Sequence, residues 1–314
     1  MIRRVAAIDC GTNSIRLLIA DIDTERTLLT DICRQMKIVR LGEGVDRTGR
    51  LSAAALDRTM AALGEYAALI RQVEAEAIRM VATSATRDAE NSQEFTSRVK
   101  EALGVAPEVL TGQEEAWLSF TGATRELAGI SGEELEPPYL VTDIGGGSTE
   151  FVLGDGTGVR AGRSVNIGCV RMTERHLHGD PPSTAEVAAA TADIDAALGL
   201  VAGDVAVGEA RTLVGLAGSV TTVAGIALGL AEYDSARIHH SRVSSGEVHE
   251  IASRLLAQTR AQRAAIGVMH PGRVDVIGAG ALILDRIMTR FGCAEVLTSE
   301  HDILDGIAWS LVGG

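Results

Sequence analysis

The pattern of apolar and polar positions repeats once along the chain. Val5-Ala-Ala-Ile-Asp-Cys-Gly-Thr-Asn-Ser-Ile-Arg-Leu-Leu-Ile-Ala-Asp21 aligns without a gap with Tyr139-Leu-Val-Thr-Asp-Ile-Gly-Gly-Gly-Ser-Thr-Glu-Phe-Val-Leu-Gly-Asp155. Asp9 thereby matches Asp143, Gly11 matches Gly145, Ser14 matches Ser148 and Asp21 matches Asp155. Each copy reads as a buried strand, a small polar turn and a second β-rich run, which predicts a hairpin rather than a strand leading into a helix. Two copies predict two similar domains.

Helical periodicity fills the spaces between. Ser52 is placed to cap a helix running to about Val73, with apolar positions at Leu56, Met60, Leu63, Ala67 and Ile70. Asn91 with Glu94 reads as a capping box before Phe95, Val99 and Leu103, and further helix starts are signalled at Thr111 with Glu114, Ser183 with Glu186, and Ser244 with Glu247. Strands are expected at Arg79 to Thr83, Ala106 to Leu110, Thr212 to Leu216 and Val274 to Ile277, so the class is α/β. Ala128 to Pro138, with Gly, Ser, acidic and paired Pro residues, reads as a loop entering the second copy.

Length and composition add limits. A chain of 314 residues fits two domains of ordinary size, and with 46% apolar but only 3% aromatic residues its cores must be built from Ala, Val, Leu and Ile. The formal net charge of -13 argues against non-specific duplex nucleic acid as a partner, and a polyanionic substrate would need a local basic site or a metal. Cys10, Cys33, Cys169 and Cys293 form no C-x-x-C pair, which points to reduced thiols in a cytoplasm rather than zinc or redox chemistry. Asp9 interrupts the apolar start too early for a signal peptide. Thr212 to Ala231 is uncharged, but its Gly, Ser and Thr content suits a buried strand, a tight loop and a helix start rather than a membrane span.

The candidate chemistry sits in the turns. Small residues at Gly11, Thr12, Asn13 and Ser14, and at Gly145, Gly146, Gly147 and Ser148, allow backbone N–H groups to point inward and grip phosphate oxygens. Asp9 and Asp143, each ending a buried strand, are placed to hold Mg2+ through water. One such turn is commonplace; two in register carry more weight. A dinucleotide fingerprint is excluded because Glu150 stands where a third Gly or Ala is required and Phe151-Val-Leu follows in place of a helix. A third turn, Gly215 to Thr222, suits a loop opening a helix whose N-terminus favours anions, with Gly218, Ser219 and Thr221 as candidates. Close helix packing accounts equally well for those small residues, and better for Gly278 and Gly280.

In Leu110-Thr-Gly-Gln-Glu-Glu-Ala116 a capping box would occupy Glu114 with the helix's own first turn, leaving Glu115 to point elsewhere. A Glu at a helix start is ordinarily structural. Arg87, just beyond the strand ending at Thr83, is suited to bidentate phosphate contact, with Asp88 or Glu90 as the competing surface partners.

Seven stretches occur in order: Ile8 to Ser14, Ala82 to Arg87 with Asn91, Thr111 to Ala116, Val141 to Glu150, Gly168 to Arg171, Gly215 to Thr222, and Ser299 to Gly306. Together, over nearly the whole chain, they resemble the exopolyphosphatase and guanosine pentaphosphate phosphohydrolase family, whose fold is that of actin, sugar kinases and heat-shock chaperones. The resemblance implies two similar actin-like, ribonuclease H-like domains with a cleft between them. The first would span residues 1–126, with a C-terminal helix at about 299–314 packing back on it, and the second residues 127–298. It implies Glu115 as the base that activates water, Asp143 and Glu150 as acids for metal and water, and Arg87 as a phosphate-contacting arginine. The turns at Gly11 to Ser14, Gly145 to Ser148, and Gly218 with Ser219 would be phosphate loops. Larger members carry an additional helical C-terminal region, so the long-polymer grip of that region is not expected here.

The implied activity is Mg2+-dependent hydrolysis of the terminal phosphoanhydride bond of inorganic polyphosphate, releasing orthophosphate, in a cytoplasmic homodimer that engages neither nucleic acid nor membrane. The nearest alternative is removal of the 5'-terminal phosphate of guanosine pentaphosphate. A small-molecule kinase on the same fold would show acceptor-dependent transfer, and a silent polyphosphate or nucleotide sensor is disfavoured by the presence of Glu115, Asp143 and Glu150 together.

Overall fold

The computed structural model describes residues 1–125, 127 and 135–312. By its internal contacts the chain divides into two compact units, Met1–Gly122 with Ile303–Gly314, and Ala123–Asp302. Of the anticipated loop at Ala128 to Pro138, residues 128–134 lie outside the described residues.

The first unit is built on a five-stranded sheet of order β3-β2-β1-β4-β5. Its strands are β1 (Ile2–Cys10), β2 (Ser14–Asp23), β3 (Leu28–Ile38), β4 (Ala77–Ala82) and β5 (Glu108–Val109). The first three form an antiparallel meander, and β4 and β5 add in parallel beside β1. The second unit has a six-stranded sheet, β10-β11-β9-β6-β7-β8. It contains β6 (Tyr139–Ile144), β7 (Thr149–Asp155), β8 (Gly158–Val165), β9 (Thr212–Leu216), β10 (Arg242–Ser244) and β11 (Glu295–Thr298). Read from β8, its order repeats that of the first sheet, with β10 as an antiparallel addition at the edge. The α/β class and the two similar actin-like units are therefore both present, and the duplicated sequence supplies the β1–β2 and β6–β7 hairpins.

Continuous burial of Val5 to Cys10 follows from a sheet covered on both faces. Ala6, Ile8, Leu17 and Ile19 pack with the helices Ala53–Gln72 and Ser92–Leu103, while Val5, Ala7, Leu18 and Ala20 pack with the helix Ile303–Ser310. That last helix is tied to β3 by Arg34, whose Nη2 donates at 2.6 Å to the fully buried carboxylate of Asp305. In the second unit the helix Ile277–Phe291 runs through the core, with Ile283, Leu284 and Ile287 fully enclosed.

Four cap signals form as read. Ser52 accepts from the N–H of Ala55, and reciprocal boxes join Thr111 with Glu114, Ser183 with Glu186 and Ser244 with Glu247. Asn91 does not cap: its amide side chain instead accepts from the N–H of Leu51 at 2.9 Å and donates to the carbonyl of Leu51 at 3.1 Å, bracing a neighbouring loop. The strand expected at Val274 to Ile277 is absent, because the segment runs from a single 3-10 turn, Pro271–Arg273, into the helix that begins at Ile277. The strand at Ala106 to Leu110 is reduced to the two residues of β5. The uncharged Thr212 to Ala231 forms β9 and the helix Ala217–Ala227, and among the described residues no helix is long and apolar enough to cross a membrane.

The cap carboxylates make a pH prediction. The amide and then the hydroxyl of Ser183 hold Glu186 well below its ordinary 4.5, down to about 2. The folded form thus binds fewer protons than the unfolded chain, so this stabilisation is complete above about pH 5 and is lost as the pH falls through 2. Chemical unfolding followed from pH 7 to about pH 2 should show the wild type losing more stability than Glu186→Gln, the two converging at the acid end.

Candidate active site

Both hairpin bends are closed by the same bond. The N–H of Gly11 donates to the carbonyl of Ser14 at 2.9 Å, and the N–H of Gly145 to that of Ser148 at 3.1 Å. Directly beyond each bend the two copies differ. Asp9 lies opposite Arg16, which donates to its Oδ2 from Nε at 3.0 Å and Nη2 at 2.7 Å. Asp143 lies opposite Glu150, so the second copy sets two acids side by side, 7% and 1% exposed, with Ser164 of β8 donating to Glu150 at 2.7 Å. Adjacent buried carboxylates favour a bound cation or a proton. Among the described residues no three His, Cys, Asp or Glu side chains converge on a metal position. A pair suffices for Mg2+, which retains several waters and is held by one or two carboxylates.

The other acid pair is separated by helix geometry. At the start of the helix Gly112–Thr124, the N–H and hydroxyl of Thr111 each donate to Glu114 at 2.8 Å, and Glu114 returns its own N–H to Thr111 at 3.2 Å. These bonds, the amide's first, hold the exposed Glu114 carboxyl below its ordinary range. Glu115 turns inward and is 7% exposed. Arg87 donates from Nη1 to Glu115 at 3.1 Å and to the carbonyl of Leu110 at 2.8 Å. The anticipated competitor Glu90 pairs instead with Arg50 at 3.6 Å. Arg87 reaches this position from the single turn Ser84–Arg87 after β4, and Ser84 shares a buried 2.9 Å hydrogen bond with Thr12. The first unit therefore joins the first glycine turn, Arg87 and Glu115 in one connected set.

The second unit joins the other two turns. Cys169, whose N–H donates to Gly145, carries a side-chain hydrogen bond with Ser219 at the third turn, and burial pushes its thiol up so that it stays protonated. Ser219 packs against Gly280, where any side chain would collide with its hydroxyl; packing is thus the role of Gly280, as read. The space a side chain at Gly218 would need is filled by the guanidinium of Arg273, which donates to Thr222 at 3.1 Å. The buried Thr221 accepts from Tyr233 at 2.9 Å.

Arg16, Arg273 and Tyr233 were not among the sequence candidates. Arg16 had a usable signal, since it aligns with Glu150 and must face Asp9 once the hairpin register is fixed. Arg273 and Tyr233 come from irregular segments whose approach to the third turn no local pattern announces.

A sequence profile described as the Ppx/GppA phosphatase family matches residues 18–313. Exopolyphosphatase 2 of Mycobacterium tuberculosis is 50% identical over 321 aligned positions, covering 99% of each chain. The guanosine-5'-triphosphate,3'-diphosphate pyrophosphatase of Aeromonas salmonicida is 30% identical, over 98% of this chain and 59% of that protein. A solved exopolyphosphatase-like protein superposes with a TM-score of 0.94 at 42% identity, over 99% of this chain and 98% of the other.

Contact between Gly280 and Ser219 can be tested by overpacking. Gly280→Ala should lower stability by about 1–3 kcal/mol in urea unfolding, and adding Ser219→Gly should recover most of it.

Proposed function

The chain belongs to the Ppx/GppA phosphatase family, and from that membership we propose that it hydrolyses the terminal phosphoanhydride bond of inorganic polyphosphate and releases orthophosphate. The full-length likeness to exopolyphosphatase 2 supports the substrate. In the geometry, the reading is carried by the unequal fate of two adjacent acids, Glu114 spent on its helix and Glu115 buried against Arg87.

Glu115 accepts the proton of a water that attacks the end phosphorus in line. The bond to the bridging oxygen breaks, the shortened chain leaves with that oxygen, and the transferred group departs as orthophosphate. Arg87 fixes the Glu115 carboxylate and offers its remaining N–H groups to the phosphoryl oxygens. The amides of Asn13 in the first unit and of Gly146 and Gly147 in the second, with Gly218 and Ser219, offer donors to phosphate oxygens. Asp143 and Glu150 are the pair suited to hold Mg2+ through water, whereas Asp9 is already matched by Arg16. Bound Mg2+ would supply compensation for the charge of the polyanion. We place the enzyme in the cytoplasm, consistent with four unpaired cysteines, and expect a homodimer by light scattering. Likeness to the Aeromonas pyrophosphatase supports guanosine pentaphosphate as a second substrate for the same groups.

Phosphate release from short and long polyphosphate should fall at least about a hundredfold in Glu115→Gln with substrate binding largely kept, while Glu114→Gln stays near the wild type. Near-normal turnover in Glu115→Gln would remove Glu115 as the base. Added Mg2+ should raise the thermal midpoint of the wild type and have little effect on Asp143→Asn with Glu150→Gln, an equal rise in both locating the metal elsewhere.

A further inference from the structure

The glycine turns are held by their carbonyls, and the holding segments correspond in the two units. In the first turn the carbonyl of Thr12 accepts from the N–H of Gly42 at 2.9 Å, and that of Asn13 accepts from Val39 at 3.1 Å and Arg40 at 2.9 Å. In the second, the carbonyl of Gly145 accepts from Cys169 at 2.9 Å, and that of Gly146 from Val170 at 2.9 Å and Arg171 at 3.1 Å. Val39–Gly42 directly follows β3, and Gly168–Arg171 follows β8 closely. The third strand of each unit thus delivers a brace to the bend between the first two.

A trans peptide points its carbonyl and the next residue's N–H in opposite directions. Tying back the carbonyls of Thr12, Gly145 and Gly146 therefore turns the N–H groups of Asn13, Gly146 and Gly147 the other way. Among the described residues these three amides donate to no protein acceptor. The braces also touch their turns at equivalent places. A side chain at Gly42 would overlap the methyl of Thr12, and one at Gly168 would overlap the peptide between Gly146 and Gly147; Thr12 and Gly146 are aligned positions of the repeat. Arg40 holds a left-handed backbone, φ 50°, where its amide and that of Val39 meet on one carbonyl. Such a conformation is costly for a residue with a side chain and is kept where the surroundings require it.

We propose that Val39–Gly42 and Gly168–Arg171 are a duplicated positioning element that aims the amides of Asn13, Gly146 and Gly147 at substrate phosphate, and that Gly42 and Gly168 are the residues on which it depends. The two segments share no sequence pattern, one being a loop and the other the start of the helix Cys169–His176. Their likeness lies in their place after the third strand, in the close approach of a glycine to Thr12 or to Gly146, and in a hydrogen-bond pattern shifted by one residue between the copies. The inference rests on the phosphate reading of the turns and adds which residues outside them set their geometry.

The test compares Gly168→Ala, Gly42→Ala, and Gly42→Ala combined with Thr12→Ser, which removes the obstructing methyl and keeps the hydroxyl bonded to Ser84. Gly267→Ala is the control, since its side chain would collide with the carbonyl of Ala231, which takes part in none of the brace hydrogen bonds. Thermal midpoints, turnover on tripolyphosphate and calorimetric affinity for inorganic pyrophosphate are measured for each. Gly168→Ala and Gly42→Ala should each weaken pyrophosphate binding about tenfold or more, the equivalent of one or two lost hydrogen bonds. Thr12→Ser should restore much of the loss in the Gly42→Ala background, and Gly267→Ala should lose thermal stability while keeping affinity. Wild-type affinity in folded Gly168→Ala, a matching loss in Gly267→Ala, or no binding by the wild type would overturn the proposal. Should Gly168→Ala fail to fold, the Gly42 pair decides. A wild type that binds pyrophosphate but releases no phosphate from polyphosphate would defeat the proposed reaction and leave the brace comparison readable.

Discussion

A protein with a net charge of -13 repels a phosphate chain at a distance, so attraction has to come from a few groups aimed at close range. Peptide N–H groups suit this task because they carry no countercharge and their direction is fixed by the chain. Direction is the constraint. A bend with rotating peptides would offer carbonyls as often as amides, and a carbonyl facing a phosphate is repulsive. The hydrogen bonds from Val39, Arg40 and Gly42, and from Cys169, Val170 and Arg171, remove that freedom where the central strands end. The flanking β1–β2 and β6–β7 ladders hold the bends from the other side, so a duplicated sheet supports two braced bends, the pair proposed to bind phosphate.

The two copies have diverged where charge matters. Across one hairpin Asp9 is neutralised by Arg16 at 2.7 Å; across the other, Asp143 faces Glu150. In the first arrangement a cation of the chain itself meets the acid. The second sets two nearly buried carboxylates opposite each other, a placement that favours a cation or a proton. A polyphosphate site needs such a cation for its substrate, so the acid pair suits the proposed chemistry. One symmetric repeat thereby supplies two similarly braced bends and, among the described hairpins, a single acidic pair.

Much of this was legible in the chain. The gapless repeat gave both hairpins, and hence the register that sets Asp9 opposite Arg16 and Asp143 opposite Glu150. The Thr111 and Glu114 box separated Glu114 from Glu115 because helix capping is local, depending on residues three apart. Readings failed where local pattern was ambiguous. Val274 to Ile277 is a short apolar run, which buried strands and helix starts share, and a 15-residue helix continues from it. Asn91 has the chemistry of a cap, but the Leu51 backbone, forty residues away, took both ends of its amide. The approach of Arg273 to Gly218 and of Ser84 to Thr12 depends on tertiary packing and has no local signature.

The return of the chain to the first unit has a physical reason in the same sheet. β1 and β2 are apolar on both faces, and the helices between β3 and β5 pack only against the face of Ala6, Ile8, Leu17 and Ile19. The opposite face, with Val5, Ala7, Leu18 and Ala20, is covered by Leu118 of the Glu115 helix together with Leu304, Ile307 and Ala308. Those last residues lie beyond the whole second unit, so the first core closes only through contacts of large sequence separation. Arg34 bonding the buried Asp305 across 271 residues fixes the helix on that face with a charge pair that would be costly to leave half made. Because Leu118 belongs to both this core and the helix that carries Glu115, packing of the returning segment bears directly on where the proposed base is held.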